Sequence, residues 1–147
     1  EVKQTGKIQG QETSIDVIFA GGRAKGTAVT PDPEKPGTLK SVTIDTTWSP
    51  EQLEENLVQA VLPGLAWNEG AKWTFSIFSS ASGETRQSTL AVTGKENITV
   101  PAGSGDAWKV DLNGGPQVVQ FWVTVAAPHR LMKVAIAGTP IEMHRIR

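Results

Sequence analysis

From Gln87 to Val125 the chain reads QSTLAVTGKENITVPAGSGDAWKVDLNGGPQVVQFWVTV, and this stretch decides the fold. Short runs of alternating apolar and polar residues, Gln87–Lys95, Glu96–Val100, Asp106–Leu112 and Gln117–Val125, are separated by Pro101-Ala102-Gly103 and Asn113-Gly114-Gly115-Pro116. Alternation marks strands with one buried face, and Gly- and Pro-rich breaks mark tight turns. The pattern continues through Pro128 to Leu131–Ala137, then through Gly138-Thr139-Pro140 to Ile141–Ile146. Consecutive strands joined by short turns pair with their neighbours in sequence, so an antiparallel meander is expected here.

The reading extends towards the N-terminus. Val2–Gln9 alternates weakly, and Thr13–Phe19 sets Ile15, Val17 and Phe19 on one face. Gly21-Gly22 reads as a hairpin turn into Arg23–Thr30, where Gly26 is expected to mark a bulge. Pro31–Gly37, with three prolines, reads as a solvated loop before the Leu39–Asp45 strand. Lys72–Ser79 places Trp73, Phe75 and Ile77 on one face with Phe78 out of phase, and Gly94 is expected to bend the Thr85–Lys95 segment.

One helix interrupts the strands. Ser49 suits an N-cap, Pro50 the first helical position and Gln52 the third position of a capping box. Glu51, Glu54 and Glu55 suit the positive end of the helix dipole, and Leu53, Leu57, Ala60 and Val61 form an apolar stripe that ends at Pro63-Gly64. The spacing predicts a helix of about three turns packed on the sheet. The fold expected is therefore mainly β: a strongly curved antiparallel meander, forming a partly open barrel or a two-layer sandwich, with one short helix.

Composition narrows the function classes. At 147 residues the chain reads as a single β-rich domain spanning 1–147, cut from a longer exported protein, with any targeting segment removed. Fourteen basic and 15 acidic residues leave a net charge of −1, too little positive charge for nucleic acid. No cysteine is present, which removes thiol catalysis and most structural zinc sites, and no apolar run spans a bilayer.

Catalytic patterns fail one by one. His129 and His144 lack local metal-ligand spacing, and each reads as a turn or edge-strand residue, so no metal is expected. Ser104 lies in Ala102-Gly103-Ser104-Gly105-Asp106, which is not Gly-x-Ser-x-Gly and sits between two strands. Asp106 and Asp111 are five apart on one strand and so point to opposite faces, unlike a glycosidase pair. Asp45 and Glu51 flank Trp48 at the strand-to-helix junction and default to solvated roles. Phosphate-binding glycine loops are missing, so neither a cofactor nor a catalytic residue is assigned.

Tryptophan is the residue type that suggests binding. Of Trp48, Trp67, Trp73, Trp108 and Trp122, the candidates for a ligand face are Trp48, Trp67, Trp73 and Trp122. Core packing is the competing role for Trp73 and Trp122, which alternate with apolar neighbours, whereas Trp48 and Trp67 bracket the helix.

Several of these segments occur together in an order that resembles a bacterial family, the domain-of-unknown-function family 3108. The resemblance rests on Leu62-Pro63-Gly64-Leu65, Gly70-Ala71-Lys72-Trp73-Thr74-Phe75, Val92-Thr93-Gly94-Lys95-Glu96 and Val100-Pro101-Ala102-Gly103. It continues through Ala107-Trp108-Lys109-Val110, Phe121-Trp122-Val123 and Pro128-His129-Arg130-Leu131, with Gly22-Arg23-Ala24-Lys25-Gly26 upstream. Where the family commonly has Pro-Ala-Gly-Thr-Phe, this chain has Pro101-Ala102-Gly103-Ser104-Gly105 and lacks the aromatic. The resemblance implies a β-rich domain of exported bacterial proteins, periplasmic or at the cell surface, and brings no catalytic residues.

The expectation is thus a non-enzymatic binding or accessory module holding an apolar small molecule or a peptide on a concave sheet. The alternatives are a structural domain contacting a neighbouring secreted hydrolase domain and, third, a hydrolase built on Ser104 with a histidine.

Overall fold

The structure is a computed structural model that describes residues 1–8, 10–32 and 34–147. One residue in each of two expected segments, Gln9 of the first strand and Pro33 of the proline loop, lies outside the described residues. The protein is mainly β, with a four-stranded and a seven-stranded sheet. Its backbone divides into two compact units, one made of residues 1–55 and 77–85, the other of residues 56–76 and 86–147.

The first unit is dominated by the antiparallel sheet β1 (Val2–Ile8), β2 (Gln11–Ala20), β3 (Arg23–Pro31) and β4 (Leu39–Thr47), paired in that order. Gly21 and Gly22 both have positive φ, 57° and 73°, the two-residue hairpin geometry that glycine adopts without strain. The inward face is built from Ile15, Val17 and Phe19 of β2, Ala24 and Ala28 of β3, and Val42 and Ile44 of β4, closed by Phe78. Phe78 was out of phase with Trp73, Phe75 and Ile77, and that is why it enters this core: it stands edge-on to Phe19 at 5.5 Å.

Gly26 does not mark a bulge. The β2–β3 and β3–β4 registers run unbroken, Val17 opposite Gly26 and Gly26 opposite Ile44. A side-chain carbon on Gly26 would fall on the carbonyl oxygen of Asp16. The glycine is there because two backbones meet closely on the central strand.

The expected three-turn helix is not present, although its start signals are. Gln52 Oε1 accepts from the Ser49 N–H at 2.8 Å, and Ser49 Oγ accepts from the Glu51 N–H at 3.3 Å, so the capping contacts form. The chain then leaves the helical path. β5 (Leu53–Glu54) pairs in parallel with Ile77 and Phe78 of β6 (Lys72–Phe78). Tertiary pairing outweighs a local start signal because nucleating a short helix is costly. Only Val58–Val61 is α-helical (α1), flanked by single 3₁₀ turns at Glu55–Leu57 and Leu62–Gly64. The buried residues are Val58 and Leu62, four apart, whereas Leu57 of the expected stripe is 53% exposed.

The second unit carries α1 and the long strands of the other sheet: β7 (Thr85–Val100), β8 (Gly103–Asn113), β9 (Val119–Thr124), β10 (Leu131–Ile136) and β11 (Glu142–His144). Each pairs antiparallel with the next, as the meander pattern requires. Gln87–Lys95 and Glu96–Val100 are a single strand of 16 residues, not two. The register slips between Val92 and Gly94, so the bend expected at Gly94 is a bulge that keeps the strand continuous. Leu90, Val110, Phe121 and Val123 are fully or almost fully buried in this unit.

Candidate functional site

The four tryptophans expected to line a ligand face divide between the two units, Trp48 in the first and Trp67, Trp73 and Trp122 in the second. Trp48 belongs to the first unit, where its ring packs on Phe19 at 5.0 Å and its backbone N–H donates to Gly22 O at 2.9 Å. Trp67 and Trp73 do meet, edge to face at 5.1 Å, and Trp67 Nε1 donates to Leu62 O at 3.0 Å. That bond satisfies a carbonyl at the end of the short helix and ties the following loop to it.

Trp122 is set differently. It is 5% exposed in a small cluster with Ala107 and Ala135, with Ile98 against it. Lys109 and Lys133 are its cross-strand neighbours on β8 and β10. Their ammonium groups stand 5.6 and 4.6 Å from the ring centroid, and Trp122 Nε1 donates to Glu96. The two ammonium groups lie over the indole, a packing role with a cation–π component.

The catalytic candidates are separately engaged. Ser104 Oγ is bonded to Thr99 Oγ1 across the β7–β8 hairpin at 2.9 Å. His129 Nδ1 contacts Thr124 O at 2.9 Å in the β9–β10 turn. His144 Nε2 lies 3.0 Å from Glu142 Oε2 on β11. Asp111 accepts from Gln120 Nε2 at 3.0 Å, and Asp106 accepts from Asn97 Nδ2 at 3.0 Å on the other face of the strand. Among the described residues no three His, Cys, Asp or Glu side chains converge as a metal site, and no helix is long and apolar enough to cross a membrane.

Three carboxylates titrate below the ordinary range. Asp45 is held down by its hydrogen bond from Arg23 and by the charges of Arg23 and Lys25. Asp106 is lowered by the Asn97 hydrogen bond and by Lys95, and Glu142 by Lys133 at 2.7 Å and by His144. Each is a surface ion-pair effect, with none of the burial that tunes a catalytic acid.

Open space is found elsewhere, on β1, β2 and β3. Thr5, Ser14 and Val29 are cross-strand neighbours in register and so share one face. They wall a cleft of about 580 Å³ together with Gly6 and Thr13. The pair Lys7–Glu12, at 3.7 Å, stands on one side, and Lys3–Asp16, at 3.4 Å, lies two residues along the strands on the other. A smaller cleft of about 270 Å³ uses part of the same wall and adds Gln4, Ile8, Ile15 and Pro31. Small side chains between two rows of larger charged ones leave this depression. No tryptophan contributes to it, so aromatic content pointed elsewhere. The readable signal was the short-side-chain row itself, visible only once strand register is known.

No curated protein and no solved structure matched the chain. The model of a family described as a protein of unknown function, DUF3108, matches residues 6–144, nearly the whole chain. With that match running from β1 to β11, the chain belongs to the DUF3108 family.

Proposed function

We propose that this chain is a non-catalytic binding module of an exported bacterial protein, and that its ligand is a short peptide lying across β1, β2 and β3. The observation that carries this reading is the open depression of about 580 Å³ over Thr5, Ser14 and Val29, a strip of exposed sheet face along which an extended chain can lie. Hydroxyl and methyl groups on its floor, with a Lys–Glu and a Lys–Asp pair beside it, suit a chain with amide groups and both charges. They suit a fatty acyl chain less well, because the flanking charges would stay solvated and give it nothing to bury against. The placement in the periplasm or at the cell surface is supported by the family resemblance.

Titrating labelled protein with short mixed-charge peptides and, separately, with a fatty acid is the test. Peptide-induced amide shifts concentrated at Thr5, Ser14 and Val29 are expected. Ser14→Leu should abolish them without unfolding the sheet, because Ser14 is exposed and its side chain stands on the face it shares with Thr5 and Val29. Shifts scattered over the surface, or a response to the fatty acid alone, would discard the peptide reading.

A further inference from the structure

β11 is the edge strand of the seven-stranded sheet, and exposed apolar side chains stand on it and on either side of it. Ile141 is 52% exposed, Met143 54% and Ile146 72%. Its backbone orientation is set by β10. The Ile136 N–H donates to Ile141 O at 3.2 Å, and the Arg145 N–H donates to Met132 O at 2.8 Å. Residue 141 and the N–H of Arg145 therefore face β10, while the Arg145 carbonyl accepts from the Ala102 N–H of the β7–β8 turn at 3.1 Å, and by alternation Glu142 and His144 turn their N–H and C=O groups to the open side. Along one face run Glu142 and His144, and along the other Ile141, Met143 and Arg145.

We propose that a second copy of this chain docks on this edge, β11 against β11, antiparallel about a two-fold axis through Met143. Only registers that oppose even-numbered residues use the outward backbone groups, which leaves three short ones. Centring on Glu142 or on His144 sets that side chain against its own copy. Centring on Met143 sets Glu142 opposite His144 of the second copy, twice, with both backbone groups of each residue bonded. The same register stacks Met143 on its own counterpart and lays Ile141 against the aliphatic stem of Arg145. The strand is thus self-complementary in backbone hydrogen bonding, in apolar surface and in the pairing of Glu142 with an imidazole, a contact each copy also makes within its own chain at 3.0 Å, as an isologous interface requires. Lys133 keeps its intrachain bond to Glu142, so the acid remains ionised at the new interface. A strand of three residues buries well under the roughly 1,000 Å² of a stable interface, so the association is weak and concentration-dependent. None of the cleft residues lies on β11, so this proposal stands or falls independently of the ligand reading.

Sedimentation of the unmodified chain over a wide concentration range should show a reversible dimer. The chain has no cysteine, so single substitutions report the register directly. Met143→Cys should form a disulfide dimer about tenfold faster than Glu142→Cys, because only a non-hydrogen-bonded residue on the axis meets its own copy within bridging distance. His144→Pro removes an outward N–H that β10 does not use, and should leave a folded monomer. Equal cross-linking at both positions, or faster cross-linking at Glu142→Cys, overturns the register. A monomer at every concentration with Met143→Cys inert overturns the proposal. So does protection of the β11 edge by an unrelated extended peptide in place of the second copy.

Discussion

The two sheets bury their strands in different ways. In β2 burial follows the side-chain alternation: Ile15, Val17 and Phe19 face the core while Ser14 and Ile18 face out, and Ile18 is 55% exposed. In β9 three consecutive residues, Phe121, Trp122 and Val123, are all at most 5% exposed. The first sheet is covered on one face. The second has a roof on its other face too, made by the ammonium groups of Lys109 and Lys133 over Trp122. A one-faced sheet takes its specificity from register, since a one-residue slip would expose the whole core set. A two-faced strand takes it from packing volume on both sides.

The sharpest way to break the comparison is Phe121→Ala. It empties a large site that cannot collapse, and a loss of about 4 kcal/mol is expected in urea unfolding. A loss near that of an exposed alanine substitution would mean that β9 is not covered as described. Gly26→Ala tests the opposite failure in the first unit, overfilling instead of emptying. About 3 kcal/mol is expected, because the Asp16 carbonyl of the paired strand must move. Denaturation profiles that leave the second unit's amides protected while the first unit opens would sharpen the contrast further.

The smallest effect is electrostatic. Asp45, Asp106 and Glu142 have lowered folded-state pKa values, so their contribution is fully present above the unfolded carboxylate range, about pH 4 to 5, and is lost as pH falls through the folded values. Melting temperatures should therefore drop on acidification below that range, and Asp45→Asn should flatten the first unit's share of the slope. A slope unchanged by Asp45→Asn would remove the Arg23–Asp45 bond from the account.

Much of the architecture was legible because strands declare themselves locally. The meander from Gln87 to His144 and the Gly21-Gly22 hairpin follow from alternation and from backbone freedom at the turns. The helix was misjudged for a physical reason. Ser49, Pro50 and Gln52 encode a first turn, and the structure contains that turn, but nothing in Leu53–Glu54 announces a strand partner twenty-four residues ahead. The site was less legible still. Tryptophans stand out in a sequence, yet Trp48, Trp67, Trp73 and Trp122 are engaged with Phe19, Leu62, one another and two lysines.

By itself the amino-acid order determined that the chain is β-rich, where most strands begin and turn, and which family it belongs to. These properties depend on neighbours within a few residues or on matched spacing along the chain. Tertiary structure alone decided that Gly26 lies beneath a carbonyl, that Phe78 closes the core on β2, β3 and β4, and that Thr5, Ser14 and Val29 fall in one row. Each of those depends on register between strands far apart in sequence, and register is set by the summed burial of whole faces instead of by any one residue.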